Sequence, residues 1–211
     1  MPRSLKLYIA GVAIASVGAL VIATLRFAPG DDVARGIGTG PTAGWLGIAF
    51  WIAITLLASA LPVRMPTGSR VDVSIAPVVA SMVLGGPAVA GWVAAIGTTE
   101  VRELKGQIPW YGTITNHATS IIPAVLGGFV YELLRGSSSS LAAGFLAALV
   151  GAGAFFVSNA SLASAVVSLR TGTSIPSILA RDAASFYRNL LALAPVAWLM
   201  AQVYIDAGWW A

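Results

Sequence analysis

The chain has 211 residues, of which 57% are hydrophobic and 9% are charged. A soluble domain carries about a quarter charged residues, so this composition excludes an ordinary water-soluble protein and indicates that lipid is the solvent. With no cysteine, the chain has neither a disulfide framework nor a thiolate metal site. The net charge of +4 is too small and too scattered for a nucleic-acid-binding surface, so we expect no nucleic-acid partner.

The first part of the chain contains two predicted membrane spans, near residues 5–27 and 43–61. The first apolar run, Leu7 to Leu25, is 19 residues long. A signal peptide has an apolar core of roughly 7–15 residues, so a first span is favoured over a cleaved signal. A glycine-rich polar loop follows it. Pro62 and Pro66 end the second span, because proline cannot continue a helix and disfavours helix in the residue before it.

Two apolar segments near residues 71–85 and 87–98 are each too short for an ordinary bilayer crossing. The turn signal Gly85-Gly86-Pro87 separates them. They form either a hairpin of short helices or one bent element that enters and leaves on the same side, and both arrangements return the chain to its starting side. Irregular backbone at membrane depth is tolerated only beside protein or a water-filled cavity. We therefore expect an interior site or groove here.

Three further spans are predicted near residues 114–134, 141–169 and 186–205. The segment 141–169 is 29 residues without charge, longer than a straight crossing, so we expect it to be tilted, broken or extended. Residues 170–181 are predicted to be a loop. The fold class is therefore an all-α polytopic membrane helix bundle. We expect a single integral membrane domain over residues 1–211, with about six to seven transmembrane segments including the short or re-entrant pair.

The distribution of lysine and arginine predicts the orientation. With the N-terminus inside, nine basic residues fall in inside loops and three in outside loops. This bias places the N-terminus in the cytoplasm. The chain ends at Gly208-Trp209-Trp210-Ala211, where another apolar segment could begin, so we expect a C-terminal truncation relative to longer relatives.

The order of these signals resembles one known family. The matching pieces are LPVRMPTGSRVDVSIAPVVASMVLGGPAVAGWVAAIG, IPWYGTITNHA, FFVSNASLASAVVSLRTG and LALAPVAWLMAQVY, all within residues 61–211. They are similar to the multi-span N-terminal membrane region that precedes HD-GYP and GGDEF domains in bacterial cyclic di-GMP signalling proteins. The chain departs from that pattern in His117 after Asn116 and in lacking the usual final span and any HD or GGDEF catalytic domain.

The resemblance implies a non-catalytic sensor-like or scaffold module in the bacterial cytoplasmic (inner) membrane, with neither cyclase nor phosphodiesterase activity. Its partners would be membrane lipid and other protein subunits or a cytoplasmic signalling domain. A second likeness is to the small vitamin-binding subunits of energy-coupling uptake transporters. A third hypothesis is an accessory subunit of a larger membrane complex.

Four residues are candidates for a ligand pocket: Trp110, Asn116, His117 and Asn159. Polar side chains within a membrane protein usually face the bundle or a cavity. A structural role is nevertheless favoured for His117, the only histidine, with ligand contact second and metal or haem binding last. Asn159 is expected to join helices, with Asn116 or His117 as its candidate partner. The sequence does not identify a cofactor.

The cytoplasmic loops supply a second set of candidates, Arg64, Arg70, Arg102 and Lys105, for docking a partner or anionic lipid. The simpler interpretation is a solvated rim that also includes Glu100 and Glu103. Glu132 and Arg135 are three residues apart on one helix face and are expected to form a surface ion pair. With one histidine and no G-x-S-x-G motif, a hydrolase is disfavoured.

Overall fold

The computed structural model describes residues 2–27, 31–40, 42–61, 63–64, 70–71 and 73–210, with backbone only at 31, 63–64 and 70–71. The all-α fold class is confirmed, and six helices are long and apolar enough to cross a membrane. A 3-10 helix (Asp31–Ala34) precedes α2, and two-residue strands β1 (Val63–Arg64) and β2 (Arg70–Val71) precede α3. The helices are α1 (Arg3–Arg26), α2 (Ala43–Ala60), α3 (Ile75–Gly97), α4 (Val101–Leu104), α5 (Trp110–Arg135), α6 (Leu141–Thr171) and α7 (Ile175–Ala207).

Helix α3 is the centre of the bundle. In its most apolar stretch 83% of residues are buried, whereas the corresponding value for the other five long helices is between 22% and 44%. Those five helices expose large apolar side chains such as Ile14, Leu57 and Leu146. Contiguous apolar surface of this kind is unsuitable for water and is what a lipid-facing surface requires. The protein is therefore a multi-pass membrane bundle packed around α3.

The central helix is broken at Gly85 and Gly86. Gly86 has φ 65° and ψ −156°, a conformation that is accessible essentially only to glycine. Pro87 follows directly and has a fixed φ that suits the first position of a new helix. The helix therefore consists of a first limb (75–84) and a second limb (87–97).

The two limbs lie side by side, because both contact the same stretch of α5. A Cβ at Gly127 would lie 3.1 Å from the Met82 Sδ of the first limb, and one at Gly91 in the second limb would lie 2.9 Å from the Val125 Cγ2. Between them, a Cβ at Gly128 would lie 2.6 Å from the Pro87 Cα. The chain therefore turns back on itself at the break.

Both ends of α3 lie toward the end of α2. The Ser59 hydroxyl in the last turn of α2 donates to the Gly97 carbonyl at 3.1 Å. The antiparallel pairing of β1 with β2 brings the start of the first limb back toward α2. This arrangement leaves α3 as a re-entrant hairpin, and the five other long helices cross the bundle.

Helix α7 begins earlier than the sequence predicts. Residues 175–181, expected to belong to a loop, form its first turns, which follow Ser174 at the N-cap position and contain Pro176 in the first turn. Proline is favoured there, because its missing N–H is one of the donors that a helix start leaves unpaired. Ile178 is buried, whereas the side chain of Arg181 is 69% exposed. The charges that suggested a loop lie on the exposed face of a helix.

Cysteine labelling tests the re-entrant geometry, and the absence of native cysteine leaves a clean background. Val73→Cys and Thr99→Cys flank the two limbs, and Ser138→Cys lies in the α5–α6 turn. We expect a membrane-impermeant maleimide to label Val73→Cys and Thr99→Cys in the same vesicle orientation and Ser138→Cys in the opposite one. Labelling of Val73→Cys and Thr99→Cys from opposite sides would show that α3 crosses.

The close contact of α5 with the break predicts a steric effect at Gly128. A Cβ there meets the backbone of Gly86 and Pro87, which cannot rotate away, so Gly128→Ala is expected to destabilise the protein by about 1–3 kcal/mol. Gly153→Ala in α6 is the matched control, since its Cβ meets nothing within 4 Å. Thermal unfolding in detergent would measure both. Equal unfolding midpoints for the two variants would contradict the packing described here.

Candidate functional site

A polar cavity of about 370 Å³ lies where α3 turns. It lies at the end of the bundle that carries the α5–α6 turn and the 3-10 helix, which we call the outer end; the opposite end, which carries the start of α5, is called the inner end. The break in α3 and the last turn of α5 form most of its wall. The lining residues are Phe27, Asp32, Val83, Leu84, Gly85, Pro87, Glu132 and Arg135.

Glu132 is an acidic residue in contact with the break. Its Oε1 would lie 2.8 Å from a Cβ placed on Gly86, so the carboxylate packs directly against the glycine backbone. Within the part of the chain that the structure describes, this carboxylate makes neither a hydrogen bond nor an ion pair. The predicted ion pair between Glu132 and Arg135 is therefore wrong, and the carboxylate is left available to the cavity.

Arg135 is instead held by an aromatic residue one turn earlier. Its Nη1 donates to the Tyr131 hydroxyl at 2.7 Å, and the guanidinium carbon lies 5.7 Å from the centre of the same ring. Tyr131 is 1% exposed, so it provides a fixed support. A guanidinium has five N–H donors, and this contact leaves others free to face the cavity.

The 3-10 helix supplies Asp32, the third charged residue of the lining. Asp32 Oδ1 accepts a hydrogen bond from Arg35 Nη1 at 3.1 Å. This short helix is anchored in the bundle because the Val33 carbonyl accepts a hydrogen bond from the buried Tyr204 hydroxyl at 2.8 Å. Gly47 makes the approach possible, since a Cβ there would clash with the Val33 carbonyl oxygen. The lining thus carries two carboxylates and one guanidinium.

The predicted pocket residues Asn116 and His117 lie at the opposite, inner end and are bonded to α4. Asn116 Nδ2 donates to Glu103 Oε1 at 2.9 Å, and His117 Nε2 lies 3.0 Å from Glu103 Oε2. The Glu103 side chain is 3% exposed, so this carboxylate is buried between the two partners. The contacts tie the connector that leaves α3 to the start of α5.

His117 has no second partner in this cluster. Its Nδ1 is buried without a hydrogen-bond partner among the described residues. Facing a carboxylate, Nε2 serves as the donor. No group of three or more histidine, cysteine or acidic side chains suited to a metal ion occurs in the described part of the chain. His117 is thus a half-buried residue whose Nε2 contacts a buried carboxylate.

The other two predicted pocket residues are separated from this cluster. Asn159 Nδ2 donates to the Thr119 carbonyl at 2.8 Å, so Asn159 joins α6 to α5. The sequence predicted Asn116 or His117 as its partner, and that prediction is wrong. Trp110 is 73% exposed at the start of α5 and packs edge-on against Tyr111. The structure therefore does not bring the four predicted ligand residues into one cavity.

The predicted docking residues lie at the inner end. Arg102 is exposed and pairs with Glu100, with Nε donating to Oε2 at 2.9 Å. Lys105 is exposed beside it. Arg64 and Arg70 face each other as Cα partners in the β1–β2 pair, and their side chains lie outside the described residues.

Two grooves between helices are apolar and face outward. One, of about 350 Å³, lies between α6 and α7, with Arg181 and Asp182 at its edge. The other, of about 360 Å³, lies between α2 and α7 beside Trp51 and Tyr204. Their apolar walls suit acyl chains of the surrounding lipid, and neither resembles the charged cavity at the break.

The sequence pattern missed the residues that matter most at both ends. Glu103 was grouped with a solvated rim because its neighbours Arg102 and Lys105 are charged and exposed, and nothing local distinguishes the one buried carboxylate. Asp32 gave no signal of its own, and Arg135 was expected only as a surface ion-pair partner of Glu132. The Gly85-Gly86-Pro87 turn was the one signal of a site at this position.

No family model, curated protein or solved structure matches this chain.

The inner cluster predicts a marked difference between two neighbouring glutamates. Glu103→Ala removes the buried carboxylate that pairs with the exposed Asn116 and the half-buried His117, which is expected to destabilise the protein by about 1–3 kcal/mol. Glu100→Ala removes only an exposed ion pair and should change stability by less than about 1 kcal/mol. Thermal unfolding of both variants in detergent tests this. A stable Glu103→Ala protein would show that the cluster contributes little.

Proposed function

We propose that this protein is a non-catalytic membrane module that binds a small molecule in the cavity at the break of α3. The observation that carries the proposal is the break itself, which opens into a cavity with charged walls. A helix end leaves backbone N–H or C=O groups without intrahelical partners, and paired half-helix ends in membrane proteins commonly form ligand sites. The unpaired carboxylate of Glu132 and the guanidinium of Arg135, which is hydrogen-bonded to Tyr131, lie beside these ends.

The position of the cavity supports capture from outside the cell. The inner end carries the N-terminus and nine basic residues, and the cavity end carries three. By the positive-inside rule the inner end is cytoplasmic and the cavity faces the exterior of a bacterial cytoplasmic membrane. The proposal therefore assigns the ligand to the periplasmic or extracellular side.

The packing of α3 supports a sensor-like role for this module. A ligand at the break contacts the turn between two limbs that are otherwise buried against α2, α5 and α7. A ligand that binds one arrangement of the limbs more tightly than another shifts the equilibrium between the two arrangements. The size of the shift is set by the difference in affinity. The second limb leads directly into α4, where Glu103 contacts the start of α5. A movement of the limb at the cavity would therefore be transmitted through the chain to the inner end, which the proposal places in the cytoplasm. A cytoplasmic signalling domain or another subunit would read that movement.

A second candidate is the substrate-binding subunit of an uptake transporter. The outward position of the cavity favours it, since uptake also begins with capture from outside. Co-purification with a pair of ATPase subunits would favour this candidate. Co-purification with a cytoplasmic signalling protein would favour the sensor, and constant association with a larger membrane complex would favour an accessory subunit.

Native mass spectrometry of gently purified protein, with two glycine variants, tests the proposal. Gly86→Ala forces a side chain into φ 65° and places its Cβ 2.8 Å from Glu132 Oε1, so we expect it to lose the bound small molecule that wild type retains. Gly106→Ala is the matched control, because Gly106 has the same φ of 65° but a Cβ there meets nothing within 4 Å.

The same measurement on His117→Ala distinguishes the two ends of the bundle. The ligand is expected to remain, because His117 lies in the inner cluster and not in the cavity. Wild-type protein without ligand, or equal occupancy in Gly86→Ala and Gly106→Ala, would overturn the proposal. Loss in His117→Ala with retention in Gly86→Ala would place the ligand at the inner end instead.

A further inference from the structure

From the charges of the cavity wall we infer that the ligand is a small zwitterion of the α-amino-acid type, with its ammonium group at Glu132 and its carboxylate at Arg135. This inference rests on the proposed function and adds the chemical class of the ligand.

The acidic part of the site is Glu132. Glu132 is exposed at the mouth of the cavity, its carboxylate has no partner within the described residues, and it packs against the backbone of Gly86. A carboxylate accepts hydrogen bonds and cannot donate them, so its complement on a ligand is a donor, and an ammonium group supplies three donors with a positive charge. Asp32 adds negative charge to the same wall, although it is already paired with Arg35.

The basic part of the site is Arg135. The hydrogen bond to the Tyr131 hydroxyl and the cation–π contact with its ring orient the guanidinium. Its remaining donors form a planar fork that matches a carboxylate, which can accept two parallel hydrogen bonds. Glu132 and Arg135 do not pair with each other, although they are one helical turn apart. Two opposite charges that stay separate on one wall suit a ligand that carries both charges.

The rest of the lining limits the size and character of the ligand. Phe27, Val83, Leu84 and Pro87 are apolar and suit the side chain of an amino acid. The cavity of about 370 Å³ is at the lower end of the range of small-molecule pockets in proteins, which suits a molecule such as an amino acid with accompanying water. Aliphatic or aromatic amino acids therefore fit better than highly charged ones.

Binding of the twenty proteinogenic amino acids to the purified protein in nanodiscs, by isothermal titration calorimetry, is the first test. We expect at least one aliphatic or aromatic amino acid to bind. If leucine is that amino acid, 3-methylbutylamine lacks only its carboxylate and 4-methylpentanoate lacks only its ammonium group, so both should bind about tenfold more weakly or worse, a loss of about 1.4 kcal/mol each. For another amino acid the corresponding amine and acid replace these probes.

Two charge variants assign each end of the ligand. Glu132→Gln should weaken binding of the amino acid and its amine about tenfold and leave the acid unchanged. Arg135→Gln should weaken binding of the amino acid and its acid and leave the amine unchanged. Tyr131→Phe removes the support of Arg135 but keeps its charge, so an intermediate loss is expected. Glu100→Gln, at the inner end, is the control and should bind as wild type does.

The outcomes separate this inference from the proposed function. If no amino acid binds but native mass spectrometry shows a different molecule that Gly86→Ala loses, the zwitterion is overturned and the binding module stands. If only the amines bind, the ligand is a simple cation and the role of Arg135 is overturned. If an amino acid binds with equal affinity to wild type, Glu132→Gln and Arg135→Gln, the site is elsewhere and the inference fails.

Discussion

The bundle depends on shielding the broken backbone of α3 from lipid. An unpaired N–H or C=O costs several kcal/mol in hydrocarbon, so a helix can break within the membrane only beside protein or water. The other long helices provide protein on most sides, and small residues allow them to come close. Gly127 and Gly128 of α5 and Gly151 of α6 are at positions where a Cβ would clash with neighbouring backbone atoms. On the remaining side lies the polar cavity.

The two ends of the bundle use their carboxylates differently, since Glu103 is buried and Glu132 is exposed. At the inner end the Glu103 carboxylate is paired with Asn116 and His117, and these contacts fix α4 on α5. At the outer end Glu132 is unpaired and faces a cavity. A buried, paired carboxylate is typical of a structural contact, whereas an unpaired charge beside a cavity is typical of a binding site. This contrast is why the proposed ligand site lies at the outer end and not at the only histidine.

A sensor and an uptake subunit make similar demands on such a bundle. Both need a site that is reached from outside and a central element whose packing depends on occupancy. The proposed function assigns both properties to the hairpin of α3, since its turn lines the cavity while its limbs form the core. The resemblance to the membrane regions of cyclic di-GMP signalling proteins remains a hypothesis about what reads that change at the cytoplasmic face.

The sequence by itself determined the solvent, the fold class and the place of the break. Composition requires lipid, apolar length requires membrane helices, and Gly85-Gly86-Pro87 interrupts a helix wherever it occurs. These are local properties, so no neighbour can reverse them. Helix α7 shows the limit of local reasoning, because charged residues in its first turns are compatible with a loop until one face is seen to pack.

Only the tertiary structure decided which polar residues share a site. Glu103 and Glu132 have similar charged neighbours in the sequence, yet one is buried between Asn116 and His117 and the other faces the break. Arg135 pairs with Tyr131 and not with Glu132, although both partners are within one turn. The partner of a charged side chain depends on which helices meet and at what depth, and that is set by the packing of the whole bundle around α3.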